Sequence, residues 1–360
     1  MNEKLLSIGG VVFAMSPRTE WNQLRLASGG EVEPICKRES ELGDDQAERS
    51  GNQTQQDGER NLREDEKEMD GIGGSGRKYR IMVWGDGMTD VYYDCSAAGL
   101  SAEAPIPVLK LKKRFEQPGG AGNVAANLER LGCSVITAFN VGPFKHRLMV
   151  GDHQVARWDS NDKCEPLESH WRDIYKSYAD YGLDAIVVAD YGKGSINQGI
   201  INYIKENYLG KVPIFVDTKQ DPTPWGGVAD AIFPNFKEYQ QYQQQYNDFH
   251  GLVCIKHGDL GIYLYNEYWA AKYNPLISPA QARFVRNVNG AGDTVIAAFT
   301  VAWLREKDDY DKYNEDMVVE IMNFERVLRF ANTAAAIAVE NPYTYAPTLE
   351  EVEKRFYGNA

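Results

Sequence analysis

The sequence predicts an α/β fold in which helices cover both faces of a largely parallel β-sheet. Apolar stretches of strand length alternate with helical stretches from about Tyr79 onward. Several of these strands, such as AIVVAD and IFVD, are apolar at every position but the last, which is typical of strands buried on both faces. Because most of these strands end in charged or glycine-rich loops, we expect one functional edge at the carboxyl ends of the strands.

The composition limits the possible partners of the chain. With 360 residues, 43% of them hydrophobic, the chain can bury one large core or two smaller ones. The formal net charge of -13 opposes nonspecific binding to nucleic acid or to anionic membranes. The five cysteines lack metal-site spacing, and the sequence has no run of about 18 apolar residues that could span a membrane. We therefore expect a cytoplasmic protein without a nucleic-acid or membrane partner.

Three segments of different character follow one another along the chain. Residues 36–76 are polar, charged and poor in aromatic residues, and they predict a disordered acidic linker. Residues 1–35, which contain two apolar patches, remain an unassigned N-terminal extension. Residues 77–360 are expected to form the folded domain, because the strand pattern begins there.

Two polar motifs in the first half of the domain predict a binding site for a sugar. The strand RIMVWG is followed by Asp86 and Asp90, which places both carboxylates at the ligand-binding edge of the sheet. Gly119 and Gly120 precede a helix and allow a ligand to approach the backbone, while Asn123 can donate to and accept from hydroxyl groups. The alternative interpretation of the second motif is a tight turn with an asparagine cap.

Residues 285–304 predict the chemical centre. Gly290, Ala291 and Gly292 lack bulky side chains at the start of an apolar helix, where backbone N–H groups can bind an anion. Asp293 follows at once, and a carboxylate at that point can accept the proton of an attacking hydroxyl during phosphoryl transfer. The alternative is an aspartate that only caps a buried helix. The spacing fits neither a Walker A loop nor a dinucleotide-binding fingerprint.

Two basic segments, 109–114 and 145–157, stand out in this acidic chain. They are either solvated faces of exposed strands or parts of a lid that closes over the ligand. In the second case Arg157 or Lys193 can bind a terminal phosphate of the substrate.

Four motifs together resemble the PfkB, or ribokinase-like, carbohydrate kinases over about residues 79–350. They are GD…D after the first strand, PGGAGN before a helix, N-x-x-E after a late strand, and NGAGDT at the start of a helix. Within that family the chain is most similar to the kinase half of the bifunctional heptose 7-phosphate kinases/heptose 1-phosphate adenylyltransferases. ADYGKGS, VDTK and FPNFKEY agree with this resemblance.

The resemblance implies a three-layer α/β/α sandwich with a small β lid, through which two copies can form a homodimer. It implies transfer of the γ-phosphoryl group of ATP to the anomeric C1 hydroxyl of D-glycero-D-manno-heptose 7-phosphate, which yields the 1,7-bisphosphate, a precursor of ADP-heptose and lipopolysaccharide. Asp293 would be the base, and the backbone of Gly290, Ala291 and Gly292 would form the anion hole.

The resemblance also assigns the binding residues. Asn235 and Glu238 would organise Mg²⁺ through its waters. The residues expected to hold the sugar phosphate are Asp86, Asp90, Gly119, Gly120, Asn123, Arg157 and Lys193. The residues expected to contact ATP are Asn235, Lys256, Gly258, Gly261 and Asn332.

The chain departs from the family pattern at several places. Asn287 and Asn289 replace the usual Asp and Thr before GAGD. After Gly142 the sequence lacks about 40 residues, so we expect a sandwich shortened by one βα unit, with an opened sheet edge. No nucleotidyltransferase motif follows residue 350, which predicts a kinase alone.

These departures leave two alternative hypotheses open. One is a kinase for another sugar, similar to a ribokinase or fructokinase. The other is a catalytically degenerate PfkB fold that serves as a binding or scaffold protein.

Overall fold

The computed structural model describes residues 6–8, 11–13, 77–164, 182–265, 275–313 and 323–358. The predicted linker 36–76, most of the extension 1–35 and a helix expected at 171–181 lie outside these ranges. The elements below are numbered in chain order within the described part.

The described strands form three sheets. Their bounds are β1 (Leu6–Ile8), β2 (Val11–Phe13), β3 (Arg80–Gly85), β4 (Gly87–Leu100), β5 (Pro107–Gly120), β6 (Ser134–Ala138), β7 (Val141–Val150), β8 (His153–Ser160), β9 (Ala185–Asp190), β10 (Ile214–Thr218), β11 (Ala231–Ile232), β12 (Leu252–Lys256), β13 (Ile262–Tyr265) and β14 (Leu276–Ser278).

The described α-helices number seven. Their bounds are α1 (Ala121–Arg130), α2 (Gln198–Tyr208), α3 (Phe236–Gln241), α4 (Gln243–Asn247), α5 (Ala291–Tyr313), α6 (Phe324–Val339) and α7 (Leu349–Tyr357). Among the described residues, none of these helices combines the length and the apolar character needed to cross a membrane.

The central sheet has the strand order β14-β13-β12-β11-β10-β9-β3-β6. All pairs from β6 to β12 are parallel, and β13 and β14 add antiparallel strands at the other edge. The predicted parallel sheet is thus confirmed. Its parallel strands end at the same edge, which brings together the polar residues that follow β3, β9, β10, β11 and β12.

Apolar side chains cover both faces of the sheet. Ile81 and Val83 of β3 belong to one buried cluster together with α1, α5, α6 and α7, whereas Met82 and Trp84 belong to a second cluster with α2. Successive strand residues point to opposite faces, so this division follows directly from the continuous apolar runs. The expected three-layer sandwich is therefore present.

Helix α5 is fixed on the sheet by large aromatic contacts. Phe299 and Trp303 are fully buried and pack edge-on against Phe215 of β10, with ring centroids 5.7 and 5.6 Å apart. Such aromatic pairs add about 0.5–1.5 kcal/mol each beyond the burial of their area. This packing holds the N-terminus of α5 at the carboxyl edge of the sheet.

The lid is a second sheet with the strand order β5-β4-β7-β8. The outer part of β5 is exposed, as the alternating basic segment predicted. Only Phe139 and Asn140 separate β6 from β7, so the chain leaves the central sheet directly for the lid. The sheet ends at β6, which agrees with the expected loss of one βα unit.

Candidate active site

Asp293 lies in the first turn of α5 and is only 5% exposed. Its Oδ2 accepts a hydrogen bond of 2.8 Å from Nδ2 of Asn123, 170 residues earlier in the chain. The hydroxyl of Tyr191 donates to its other oxygen, Oδ1. Burial raises the pKa of Asp293, and these two hydrogen bonds offset the rise only in part. The arrangement suits a carboxylate that accepts a proton.

The turn before α5 requires glycine at position 290. Gly290 has φ +79°, and a Cβ there would lie 2.6 Å from Nδ2 of Asn123 and 3.0 Å from Cγ2 of Thr344. The amide of Ala291 donates to the carbonyl of Val288 at 3.3 Å, so it is already engaged. Amides in the first turn of a helix have no partner further back in that helix, and the amide of Gly292 is therefore well placed to bind an anion.

Asp90 is held by an arginine that the sequence analysis did not identify. Its Oδ1 accepts from Nε and Nη2 of Arg147 at 3.1 and 2.9 Å, and both side chains are buried. Its Oδ2 would lie 3.1 Å from a Cβ at Gly119, so the glycine backbone passes directly beside this carboxylate. Asp90 and Gly119 are therefore neighbours, as expected for one sugar site.

Asp86 binds the loop that follows β9. It is fully buried, and its carboxylate accepts from the amides of Tyr191, Lys193 and Ser195 at 2.8–2.9 Å. Asp86 thereby fixes the loop that carries Tyr191 to Asp293. Contact of Asp86 with sugar hydroxyls stays a prediction.

The basic residues near the lid divide into paired and unpaired groups. Arg157 on the exposed strand β8 forms a bidentate pair with Asp159 at 2.6 and 2.8 Å, and Lys193 pairs with Asp162. Lys145 on β7 lies with its Nζ 5.2 Å from the ring centroid of Tyr191, and burial lowers the pKa of this lysine. Phosphate binding by Arg157 or Lys193 stays a prediction.

A cavity of about 640 Å³ opens beside the turn before α5. The ATP contacts expected from the sequence all line it: Asn235, Lys256, Gly258, Gly261 and Asn332. The glycine turn and Asp293 form another part of its wall. The structure thus brings the expected nucleotide residues and the expected base to one cavity.

Several cavity residues also have structural partners. Asn332 on α6 donates from Nδ2 to the carbonyl and the hydroxyl of Ser278 at 2.7 and 2.8 Å. Asn289, which also lines the cavity, donates its amide to Oδ1 of Asn287 at 3.0 Å, and this contact shapes the loop before the glycine turn. Contacts of Asn332 with a nucleotide remain a prediction.

Asp217 at the end of β10 is the centre of a charge network. It pairs with Lys256 and, at 2.9 Å, with Lys219, which also lies 3.1 Å from Glu238. Burial alone would raise the pKa of Asp217, but the two lysines outweigh it and hold the pKa below its usual value.

Glu238 and Asn235 cap the helix α3. The side chain of Asn235 accepts from the amide of Glu238 at 3.0 Å, and Glu238 accepts from the amide of Asn235 at 2.8 Å. Among the described residues, no group of three or more His, Cys, Asp or Glu side chains could hold a metal ion directly. Asn235 and Glu238 therefore fit only a Mg²⁺ ion that keeps its waters and is bound mainly through the phosphates of a nucleotide.

Comparison with known proteins agrees with this geometry. Residues 224–351, which include Glu238, Lys256 and the Asp293 turn, match the family model described as pfkB family carbohydrate kinase. The bifunctional protein HldE of Campylobacter jejuni strain RM1221 is 27% identical over 322 residues, which cover 77% of this chain and 65% of that protein. HldE of Vibrio parahaemolyticus is 27% identical over 76% of this chain and 62% of its own length. The chain thus spans about 65% of the length of the first of these relatives.

Solved structures show the same fold. Arabidopsis thaliana ribokinase complexed with ribose and ATP has a TM-score of 0.55 at 18% identity and covers 79% of this chain and all of its own. Escherichia coli phosphofructokinase-2 has a TM-score of 0.58 at 12% identity over 77% of this chain and 98% of its own. The described chain therefore has a ribokinase-like fold, and its residues 224–351 are similar to the PfkB carbohydrate kinases.

Proposed function

We propose that this protein is an ATP-dependent sugar kinase. The observation that carries the proposal is Asp293, a buried carboxylate at a helix N-terminus that opens into the cavity. Its raised pKa makes it a better proton acceptor than an ordinary aspartate. Asp90 and Asn123 supply polar groups for the hydroxyls of the acceptor on the lid side.

In the proposed reaction, Asp293 accepts the proton of the acceptor hydroxyl. The oxygen attacks the γ-phosphorus of ATP, the bond from that phosphorus to the β-phosphate oxygen breaks, and the electron pair leaves with ADP. The amide of Gly292 and the positive end of α5 face the charge on the transferred group. The preorganised dipoles lower the barrier because they do not need to reorient during the reaction.

The finer proposal is that the acceptor is D-glycero-D-manno-heptose 7-phosphate, phosphorylated at C1. It is supported by the similarity to HldE proteins and by the joint presence of PGGAGN and NGAGDT. The test is a panel of sugars and sugar phosphates with ATP, followed by identification of the phosphorylated carbon. If only ribose or fructose is phosphorylated, that sugar replaces the heptose as the proposed substrate. Binding of a sugar without any turnover would favour a scaffold protein.

A terminal phosphate on the sugar should raise catalytic efficiency. One charge-assisted contact with a basic side chain contributes roughly 1.5–3 kcal/mol, or about tenfold to a hundredfold. We expect kcat/KM for the phosphorylated heptose to exceed that for the unphosphorylated one by this factor, and Arg157→Ala or Lys193→Ala to reduce the gap. Equal use of the two sugars by the intact protein would contradict a phosphate site.

We further propose that ATP binds with Mg²⁺, which would neutralise charge on the phosphates when it is bound. Glu238 and Asn235 would hold its waters. Glu238→Gln should therefore lower kcat severalfold with little change in ATP affinity, and added Mg²⁺ should restore part of the loss. Measured at limiting Mg²⁺, an unchanged kcat would contradict this role.

We also propose that two copies of the chain form a homodimer through the lid. A cytoplasmic location is a separate proposal. The lid presents exposed apolar side chains at Leu100, Ile106, Val108 and Leu111. An apolar face of this kind supports self-association. Sedimentation of the full chain, compared with a Leu111→Glu variant, would test the dimer.

A further inference from the structure

Lys256 reaches the catalytic turn, and we infer that it is a catalytic residue that contacts the transferred phosphoryl group, with Asp217 as its positioning residue. This inference rests on the proposed kinase function. It goes beyond a general contact with ATP, because it assigns Lys256 to the γ-phosphate.

The side chain of Lys256 crosses from the sheet to helix α5. Lys256 ends β12, where its amide donates to the carbonyl of Pro234 at 2.8 Å. A Cβ at Gly292 would lie 3.3 Å from Nζ of Lys256, 3.6 Å from Cδ and 3.7 Å from Cε. The side chain of Lys256 therefore runs along the backbone of Gly292. Its ammonium group lies beside Gly292, which is the residue that precedes Asp293 in the chain.

This position is electrostatically unfavourable without an anion. A cation at the N-terminus of a helix faces the positive end of the helix dipole, which is the reverse of the arrangement that stabilises helices. The compensating charge is Asp217, whose side chain is 2% exposed and pairs with Lys256. A lysine at the N-terminus of a helix opposes helix stability even where a carboxylate offsets it, and such an arrangement is expected at a site that binds an anionic ligand.

Within the network around Asp217, two lysines are matched by two carboxylates. Lys256 and Lys219 are matched by Asp217 and Glu238, so an incoming phosphate chain adds negative charge beside two cations and a helix N-terminus. Because Asp217 is bound by two lysines, a phosphate oxygen can take up donors of Lys256 without leaving this carboxylate unpaired. An ammonium group has three donors, of which Asp217 needs one or two.

In the phosphoryl transfer, Lys256 donates a hydrogen bond and keeps its protons. The proton of the acceptor hydroxyl goes to Asp293, and the electron pair of the broken bond goes to the β-phosphate of ADP. Nζ of Lys256 stabilises the negative charge on the oxygens of the moving group. Asp217 holds the ammonium in place.

The test compares nucleotides that carry or lack a γ-phosphate. Binding of ADP and of the β,γ-imido analogue of ATP to the full chain is measured by calorimetry in Mg²⁺ buffer. We expect Lys256→Met to weaken the imido analogue about tenfold to a hundredfold, the range for one charge-assisted hydrogen bond, and to change ADP binding less than about twofold. In turnover, KM for ATP should rise by a similar factor, and kcat should fall as well because the charge on the moving group loses its contact with Lys256.

Lys219→Met is the matched control, because it also removes one lysine from Asp217 but its arm does not lie on Gly292. It should not discriminate between the two nucleotides. Gly292→Ala is a second variant, in which the new methyl at 3.3 Å shifts Nζ by a few tenths of an ångström and should weaken the imido analogue more than ADP, but by a smaller factor than Lys256→Met.

Equal effects of Lys256→Met on the two nucleotides, or no effect on either, would overturn the assignment and leave the kinase proposal standing. If the unaltered protein binds neither nucleotide, both proposals fail. If Lys256→Met does not fold, Lys256→Gln replaces it, and equal loss of both nucleotides in that variant overturns the assignment.

Discussion

Asp293→Asn should abolish nearly all sugar phosphorylation while the protein remains folded and still binds ADP. General base catalysis contributes roughly 10²–10⁴-fold, so we expect kcat to fall by a factor in that range. The asparagine fills the same space and can still accept from Tyr191. A coupled assay for ADP release, with calorimetry of ADP binding on the same sample, measures both quantities.

The same variant should have a distinctive dependence of stability on pH. Burial raises the pKa of Asp293 in the folded state above its value in the unfolded chain. The folded state then binds this proton more tightly than the unfolded state. The carboxyl group of Asp293 therefore contributes its full stabilisation at a pH below its pKa in the unfolded chain, and this stabilisation is lost as the pH rises through its pKa in the folded protein. At pH 8 the native protein carries a buried charge that the asparagine variant lacks. We expect Tm of Asp293→Asn to equal or exceed that of the unaltered protein at pH 8, and this difference to disappear at acid pH.

Catalysis should show the complementary pH profile. The base acts only when deprotonated, so kcat/KM should fall as the pH drops below the raised pKa of Asp293, and the residual activity of the variant should lack this acid limb. A variant that retains more than a tenth of the activity would remove Asp293 from the base role. If Asp293→Asn loses its activity together with several degrees of Tm at pH 8, the loss of activity would instead come from a folding defect.

The sequence predicted the parts of the site that come from short glycine motifs. PGGAGN and NGAGDT each open a helix, and the structure joins them through the contact of Asn123 with Asp293. The buried strands were equally predictable, because a run such as AIVVAD suits only a strand covered on both faces. Strand ends in a parallel sheet share one edge, so the expected ATP residues line one cavity.

Residues whose role depends on strand orientation could not be predicted. Lys145 and Arg147 lie two residues apart on β7 and so share one face of the strand, but the sequence does not reveal which face meets the site, and so their positions were missed. Asp86 looked equivalent to Asp90, yet the loop after β9 folds back and donates three backbone hydrogen bonds to its carboxylate. Tyr191 was missed for the same reason, because only the path of that loop brings its hydroxyl to Asp293.

Gly290→Ala should impair both stability and catalysis, and a second glycine allows the two causes to be separated. Gly290 has φ +79°, and Gly210, at the end of α2, has φ +72° with no atom within 4 Å of an added Cβ. Alanine in this conformation costs about 1–2 kcal/mol at either position. At Gly290 alone, the methyl also meets Nδ2 of Asn123 at 2.6 Å and must displace the group that positions Asp293.

Misplacing a catalytic group by about 1 Å can cost roughly a hundredfold in rate. We therefore expect Gly210→Ala to lower the free energy of unfolding by about 1–2 kcal/mol, the cost of the strained backbone alone, with kcat unchanged. Gly290→Ala should lower that free energy further and reduce kcat by about a hundredfold. Urea unfolding and steady-state kinetics of the two variants measure both quantities. Equal kcat in the two variants would mean that contact with Asn123 does not position Asp293, and the hydrogen bond from Tyr191 would then be the main constraint on the base.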